Sequence, residues 1–286
     1  MFAPACSCGS DTGSSRAGDE DSKTRLPIDE DLEAPLEPPE AGKLVYLVSK
    51  DAKLYSFDPR KHGMAAYDLI GPLKCDRYSN PQSMAVDRQG VAWVFYDSLK
   101  LYRVSTADAS CTPTSYVHPS YVNMLGMGFT SMAPGSDDEQ LYIMSPGFGL
   151  ATIQFPNLGV SQLGTHELGG AELTGGGDAR LFAFQAQQGK LYEIDRRSMG
   201  SRLLYELHVK DPVRAWAFAR YAGRFYFFTA DYRGDSRCIE VDVERKLQRV
   251  RDEDVGFIVV GAGQSTLVPP RDSSESIVGD WPDGGL

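Results

Sequence analysis

The most constraining feature of this sequence is a unit that recurs every 44 residues. Short runs of small or mixed apolar residues are centred on Met84, Gly128, Glu172, Trp216 and Val260, at equal spacing. After each of the first four runs comes an aromatic-rich run and then, beyond a polar turn, a second short apolar run. No helical period is sustained, so the unit predicts short β-strands. A period of about 40 to 50 residues is typical of propeller blades, each of which has four strands.

The repeats predict an all-β, five-bladed β-propeller over residues 43–270. The aromatic-rich run at Leu44–Val48 has no small-residue strand before it, whereas the last run, around Val260, has no blade of its own. We therefore expect the C-terminal strand near Val260 to supply the inner strand of the first blade. Closing a ring in this way leaves only short, protected sheet edges.

The two ends of the chain differ from the repeats in composition. Residues 9–42 hold ten acidic and three basic side chains, a net of −7 out of −10 for the whole chain. This segment is rich in Ser, Gly and Pro, so residues 1–42 are predicted to form a disordered acidic tether. Residues 271–286 have a similar composition and predict a flexible tail. Since the chain has no basic excess, nucleic acid is not an expected partner.

Two cysteines near the start, Cys6 and Cys8, follow small residues and precede a stretch rich in Ser, Gly and Asp. This pattern is similar to the end of a bacterial lipoprotein signal, in which the cysteine becomes the lipidated first residue. The first residues lack the charged and apolar regions of a signal peptide. The hypothesis is therefore that translation starts upstream and that Cys6 or Cys8 carries a lipid anchor. The alternative is that both cysteines are incidental.

The segment Ser83–Val94 resembles the strand-turn-strand unit of NHL-like propellers. Together with Gly126–Phe129, Ala171–Gly175, Ala215–Ala219 and Val260–Thr266, in this order, it resembles a family of mostly myxobacterial cell-envelope lipoproteins. The resemblance covers about residues 43–270 and implies a propeller fold and a bacterial cell-envelope location, either anchored to the outer membrane or periplasmic. It implies no activity.

Three cysteines lie within the repeats. Cys75 and Cys111 are predicted near the outer strands of the first and second blades, so we expect them to form a disulfide in an oxidising envelope. Cys238 has no His or basic cluster nearby in sequence to lower its pKa, and is predicted to be a buried thiol rather than a nucleophile. The four histidines do not pair at metal-ligand spacing, and no metal or cofactor site is indicated.

One pair of carboxylates leaves an enzymatic alternative open. Asp87 and Glu172 lie on predicted inner strands, from which paired carboxylates project into the channel of five-bladed glycosidases as acid and as nucleophile or base. The alternative for the same residues is structural: Asp87 caps its turn, and Glu172 binds backbone amides or lines a wet channel.

The favoured interpretation is a non-catalytic binding or scaffolding propeller that is tethered to the bacterial cell envelope and acts as a monomer. Its expected partner is an envelope protein or glycan. The residues predicted to surround the channel mouth and bind the ligand are Asp87, Phe129, Glu172, Trp216 and Gln264.

Overall fold

The computed structural model describes residues 42–268, with the exception of 121, 123, 124 and 210–212. The predicted acidic tether up to residue 41, the acceptor cysteines Cys6 and Cys8, and the tail 271–286 lie outside the described residues. No helix in the described part of the chain is long and apolar enough to cross a membrane.

The described chain folds into five antiparallel sheets of four strands each, which confirms the predicted five-bladed propeller. Blade 1 contains β1 (Val45–Ser49), β2 (Lys53–Phe57) and β3 (Tyr67–Pro72). Blade 2 contains β4 (Pro81–Val86), β5 (Val91–Tyr96), β6 (Leu101–Ser105) and β7 (Cys111–Pro113). Short 3-10 turns lie at Gly63–Ala66 and Ala186–Gln188.

The remaining strands form blades 3 to 5 and complete blade 1. Blade 3 contains β8 (Gly126–Ser131), β9 (Glu139–Ser145), β10 (Gly149–Gln154) and β11 (Gly159–Gly164). Blade 4 contains β12 (Glu172–Gly175), β13 (Leu181–Gln185), β14 (Lys190–Ile194) and β15 (Ser201–Glu206). Blade 5 contains β16 (Ala215–Tyr221), β17 (Arg224–Ala230), β18 (Arg237–Asp242) and β19 (Leu247–Asp252), and β20 (Val259–Gln264) belongs to blade 1.

The ring closes as the sequence predicted, because β20 pairs antiparallel with β1. Val45 lies opposite Gln264 and Leu47 lies opposite Ala262. The C-terminal strand is therefore the inner strand of the N-terminal blade.

Each blade has four antiparallel strands, so the last strand of a blade ends on the side of the ring where the first strand of that blade began. The inner strands, which surround the central axis or hub of the ring, therefore all run in the same direction. We call the side where β4, β8, β12, β16 and β20 begin the upper face, and the side where they end the lower face. Loops that join one blade to the next lie on the upper face, as do the turns between the two middle strands of each blade.

Hydrophobic clusters fill each of the five interfaces between neighbouring blades. In β1, Val45 and Leu47 pack towards blade 5, whereas Tyr46 and Val48 pack towards blade 2. Successive side chains of a strand point to opposite faces of the sheet. A blade covered on both faces therefore needs strands without alternating polar residues, which explains the uninterrupted aromatic-rich runs of the sequence.

The predicted disulfide between Cys75 and Cys111 is present, with the two Cα atoms 5.2 Å apart. It joins the segment after β3 to the first residue of β7, and so connects the outer edges of blades 1 and 2. A structural disulfide indicates an oxidising compartment. Cys238 is a buried free thiol, as predicted.

We expect the double variant Cys75→Ser, Cys111→Ser to lose about 3–4 kcal/mol of unfolding free energy, because the cross-link no longer restricts a 36-residue span of the unfolded chain. Urea denaturation followed by fluorescence measures the loss. Reductant should lower the stability of the wild type and leave that of the variant unchanged. Equal stability of the two oxidised proteins would contradict the prediction.

Candidate functional site

The inner strands pack directly against one another at the middle of the hub. A Cβ at Gly128 would lie 2.9 Å from the backbone of Leu173 and Thr174 in the neighbouring blade, and one at Gly126 would overlap the carbonyl oxygen of Ala171. The level lined by Val86, Phe129 and Ala262 leaves no room for a water molecule. The described inner strands leave no open channel between the two faces at this level, and pockets lie on both faces.

The upper pocket, which we call the Glu172 pocket, has a volume of about 250 Å³. Glu172 is the first residue of β12 and Trp216 the second residue of β16, so both side chains lie where their inner strands begin. Apolar side chains and the amides of the β13–β14 turn complete the lining: Leu125, Met144, Pro146, Leu168, Phe184, Gln185, Gln187 and Gln188.

Glu172 connects three blades at this end of the hub. Its Oε1 accepts a hydrogen bond from the Ser83 hydroxyl of blade 2, and the carboxyl also accepts one from the backbone N–H of Met127 in blade 3. Its side chain is buried, and this burial raises the pKa of Glu172 to about 8 in spite of both hydrogen bonds. At neutral pH the group is therefore mainly a neutral carboxylic acid that can donate as well as accept a hydrogen bond.

Trp216 forms one wall of the Glu172 pocket and is only half-buried. Its indole N–H makes no hydrogen bond to any described residue. Nearby, the side-chain amide of Gln187 donates to the carbonyl of Val213 and that of Gln185 donates to the carbonyl of Leu168. The pocket thus combines a flat aromatic surface with uncharged polar groups.

Asp87 lies at the other end of the hub, immediately after β4 ends. Its Oδ1 accepts from the Val91 N–H at 2.8 Å and its Oδ2 accepts from the Trp93 indole N–H at 2.8 Å. Ser83, which contacts Glu172, is four positions earlier on the same extended segment. That distance is about 13 Å along the hub. The structure therefore does not bring Asp87 and Glu172 together.

The other two predicted ligand residues are also separate from the Glu172 pocket. Phe129 is buried between blades 2 and 3, with its ring centroid 6.4 Å from that of Trp93 and 6.1 Å from that of Phe155. Gln264 ends β20, where its Oε1 accepts from the Thr174 hydroxyl and its Nε2 donates to the Gly175 carbonyl. The five residues predicted around one mouth thus occupy two opposite ends of the hub and one interface between blades.

The repeat spacing already indicated that these residues lie at different positions along the hub. Glu172 is the centre of its repeat, whereas Asp87 and Gln264 follow the centres of theirs by three and four residues. All inner strands run in the same direction and rise about 3.3 Å per residue, so a difference of three or four residues moves a side chain about 10–13 Å along the hub, towards the lower face for Asp87 and Gln264.

Sequence reasoning missed the lower pocket, a cavity of about 360 Å³ beside Gln264. It is lined by two arginines, Arg88 and Arg220, and the Arg220 guanidinium forms an ion pair with Asp178 at 2.6 Å. Close to Asp87, Glu139 accepts hydrogen bonds from the Arg88 N–H and the Thr266 hydroxyl, and burial raises its pKa. Within the described residues, no group of three or more His, Cys, Asp or Glu side chains could hold a metal ion.

No protein-family model matches this sequence, and no curated protein is similar to it. Among solved structures, one chain of a structure described as the crystal structure of a nidogen/laminin complex is similar, with a TM-score of 0.50 and 10% sequence identity. The match covers 77% of this chain and 97% of that chain. At this identity the likeness supports the propeller fold alone.

We expect Glu172 to make the stability of the protein depend on pH. Its pKa is about 8 in the folded protein and 4.5 for an unperturbed glutamic acid, so folding takes up a proton between these values. The stabilisation is present in full below about pH 4.5 and is lost as the pH rises through about 8. The free energy of unfolding of the wild type, measured in urea from pH 5 to 8, should therefore fall relative to that of Glu172→Gln.

The matched control is Glu253→Gln, which changes an exposed carboxyl in the β19–β20 loop and should keep the pH dependence of the wild type. A wild type and Glu172→Gln variant with parallel pH profiles would contradict the assignment of a neutral, buried carboxyl.

Proposed function

We propose that this chain is a non-catalytic binding or scaffolding propeller that is tethered to the bacterial cell envelope and holds an envelope protein at its upper face. The observation that carries the proposal is the Glu172 pocket, a cavity of about 250 Å³ that ends at a packed hub. A pocket of this kind receives a group from outside and does not conduct a ligand through the ring.

The exposed side chains of the upper face support a protein partner. Tyr78 in the β3–β4 loop is 91% exposed, Val117 in the β7–β8 loop is 81% exposed and Tyr232 in the β17–β18 turn is 68% exposed. All three belong to loops of the upper face. Aromatic residues are enriched at the centres of protein interfaces, where they supply much of the binding energy. The similar solved structure is itself described as a complex of two proteins.

The chemistry of the pocket favours an uncharged group of the partner. Glu172 is mainly neutral at pH 7 and the lining otherwise consists of apolar side chains, amides and Trp216. A buried charged group without a partner of opposite charge is strongly disfavoured. We therefore expect an uncharged side chain that packs on Trp216 and hydrogen-bonds to Glu172 or a glutamine amide.

The geometry does not favour the glycosidase alternative. Paired carboxyl groups of glycosidases lie about 5 to 9.5 Å apart on either side of the scissile bond. Here Glu172 and Asp87 lie at opposite ends of a packed hub, and both oxygens of Asp87 accept hydrogen bonds from residues of the next strand, β5.

To test the partner, wild-type protein is immobilised and used to capture proteins from an envelope extract of the host bacterium, and the captured protein is purified for titration. We expect Trp216→Ala to weaken binding by about tenfold or more, because an aromatic side chain at the centre of an interface contributes over 1 kcal/mol.

Leu163→Ala is the matched control, because Leu163 is a half-exposed apolar residue on the outer strand β11, away from the pocket, and this variant should bind as the wild type does. If Trp216→Ala binds the purified protein with unchanged affinity, the pocket is not the binding site. If a glycan binds the pocket and no protein does, the proposed protein partner is wrong.

The proposed tether makes a separate prediction. In protein expressed from its own gene and labelled with an alkyne fatty acid, we expect the double variant Cys6→Ser, Cys8→Ser to lose the lipid label and to move from the membrane to the soluble fraction. One acyl chain gives only marginal membrane binding, so the label is the primary readout. The variant Cys75→Ser, Cys111→Ser is the control and should keep its label. An unlabelled wild-type protein would contradict the lipid anchor.

A further inference from the structure

A second cavity of about 650 Å³ lies on the lower face between blades 3 and 4, outside the hub. The β8–β9 loop, the β12–β13 turn and the β14–β15 turn form its walls. Four arginines line it, and we call it the arginine groove: Arg180, Arg196, Arg197 and Arg202. The two carboxylates in the lining are Glu193 and Asp195, so the lining side chains carry two positive charges in excess. Asp178 and Glu244 do not line the groove but also interact with Arg180.

The carboxylates of the groove do not neutralise its arginines. Glu193 is shared, because its Oε1 accepts from Arg180 Nε at 2.7 Å and its Oε2 accepts from Arg202. The Asp195 carboxylate bonds within its own turn, where it accepts hydrogen bonds from the backbone N–H groups of Arg197 and Ser198 and from the Ser198 hydroxyl. One carboxylate thus serves two guanidinium groups, and the other is bound within the turn.

Arg196 is fixed in place without a carboxylate partner. Its guanidinium donates to the carbonyls of Ser131 and Met132 and to the Tyr142 hydroxyl, and it lies 5.6 Å from the centroid of the Tyr142 ring. Arg197 is exposed, and its guanidinium donates no hydrogen bond to a described residue. The structure therefore holds one preoriented cation and, beside it, one exposed cation whose guanidinium makes no hydrogen bond to a described residue.

The size and lining of the groove distinguish between anionic ligands. Its volume far exceeds that of a single phosphate or sulfate ion. Apolar side chains contribute to the lining next to the arginines, among them Met132, which is 52% exposed, Ala133 and Pro134. Arginine binds carboxylates bidentately, and apolar surface between the cations suits a chain with apolar side chains between its acidic ones.

We propose that the arginine groove is a second binding site, which takes an acidic peptide segment of a protein. The site is on the face opposite the Glu172 pocket, so it is independent of the ligand proposed there. Arg196 and Arg197 hold the carboxylates of the peptide, and Met132 and Pro134 contact the apolar side chains between them.

The test uses the whole protein and a fluorescein-labelled synthetic peptide of alternating Glu and Leu, with binding followed by anisotropy at low salt. We expect Arg196→Gln, Arg197→Gln to raise the Kd about tenfold or more, because two charge-assisted contacts are lost. The matched control is Lys74→Gln, Arg77→Gln, which removes two exposed cations from the β3–β4 loop of the upper face and should leave the Kd within about twofold.

Two further variants separate binding from folding. Arg197→Gln alone removes a side chain that bonds to no described residue, so it should weaken binding with an unchanged melting temperature. Glu193→Gln removes the carboxylate that competes for Arg180 and Arg202, and should tighten binding by about two- to fivefold. If these residues only stabilised the fold, Glu193→Gln would not bind the peptide more tightly while Arg197→Gln binds it more weakly.

The proposal is wrong if the peptide does not bind, if a peptide with Gln in place of Glu binds equally well, or if Arg196→Gln, Arg197→Gln binds as the wild type does. It is also wrong if heparin binds the groove and the acidic peptide does not, since the site would then take a sulfated glycan. Weaker peptide binding at higher salt, combined with tighter binding by Glu193→Gln, would support it.

Discussion

The pairing of β20 with β1 is the contact on which the rest of this structure depends. Each blade is apolar on both faces, so it is stable only between two neighbours. Without β20, blade 1 would lack the inner strand that packs on β4 at Gly261 and Gly263. Further contacts reinforce the seam between blades 5 and 1: Tyr67 donates a hydrogen bond to Asp252 at 2.7 Å, and Arg251 donates to the carbonyl of Pro59 at 2.9 Å.

Close packing of the inner strands decides what the hub can do. Glycines on β8 and β20 allow the backbones of neighbouring blades to touch, so the middle of the ring is solid. Polar side chains then close its two ends. Glu172 joins blades 2, 3 and 4 at the upper end, and Gln264 joins the closing strand to Thr174 in blade 4 and to the backbone of Arg220 in blade 5. These buried groups hold the ring together, and Glu172 also borders a pocket.

Much of the fold could be predicted from the sequence because every blade must satisfy the same packing requirement, and this produces a repeating pattern of residues. Every blade needs a small inner strand and an aromatic-rich second strand, so the 44-residue spacing assigned the inner strands, and the missing strand before Leu44 indicated the closure by Val260. The Cys75–Cys111 disulfide followed from the positions of both residues on neighbouring outer edges.

The sites were harder to predict, since side chains from several blades and turns form them, and the repeat does not specify which side chains meet. Trp216 and Glu172 were assigned correctly to inner strands, but the expectation of one mouth ignored the packed hub that separates the two faces. The arginine groove combines turns from two blades whose sequences are far apart and carry no shared motif. Its local signal was the pair Arg196-Arg197 in a turn, and only the fold places that pair beside Arg180 and Arg202.

The solid hub also determines how the two proposed sites relate to each other. A ligand in the Glu172 pocket cannot reach the arginine groove through the ring, because the inner strands leave no passage between the faces. The sites differ in charge as well, since one ends at a neutral carboxyl and the other has an excess of guanidinium groups. They would therefore select chemically different partners and could hold both at once. Binding of two partners on opposite faces of one ring is what the proposed scaffold function requires.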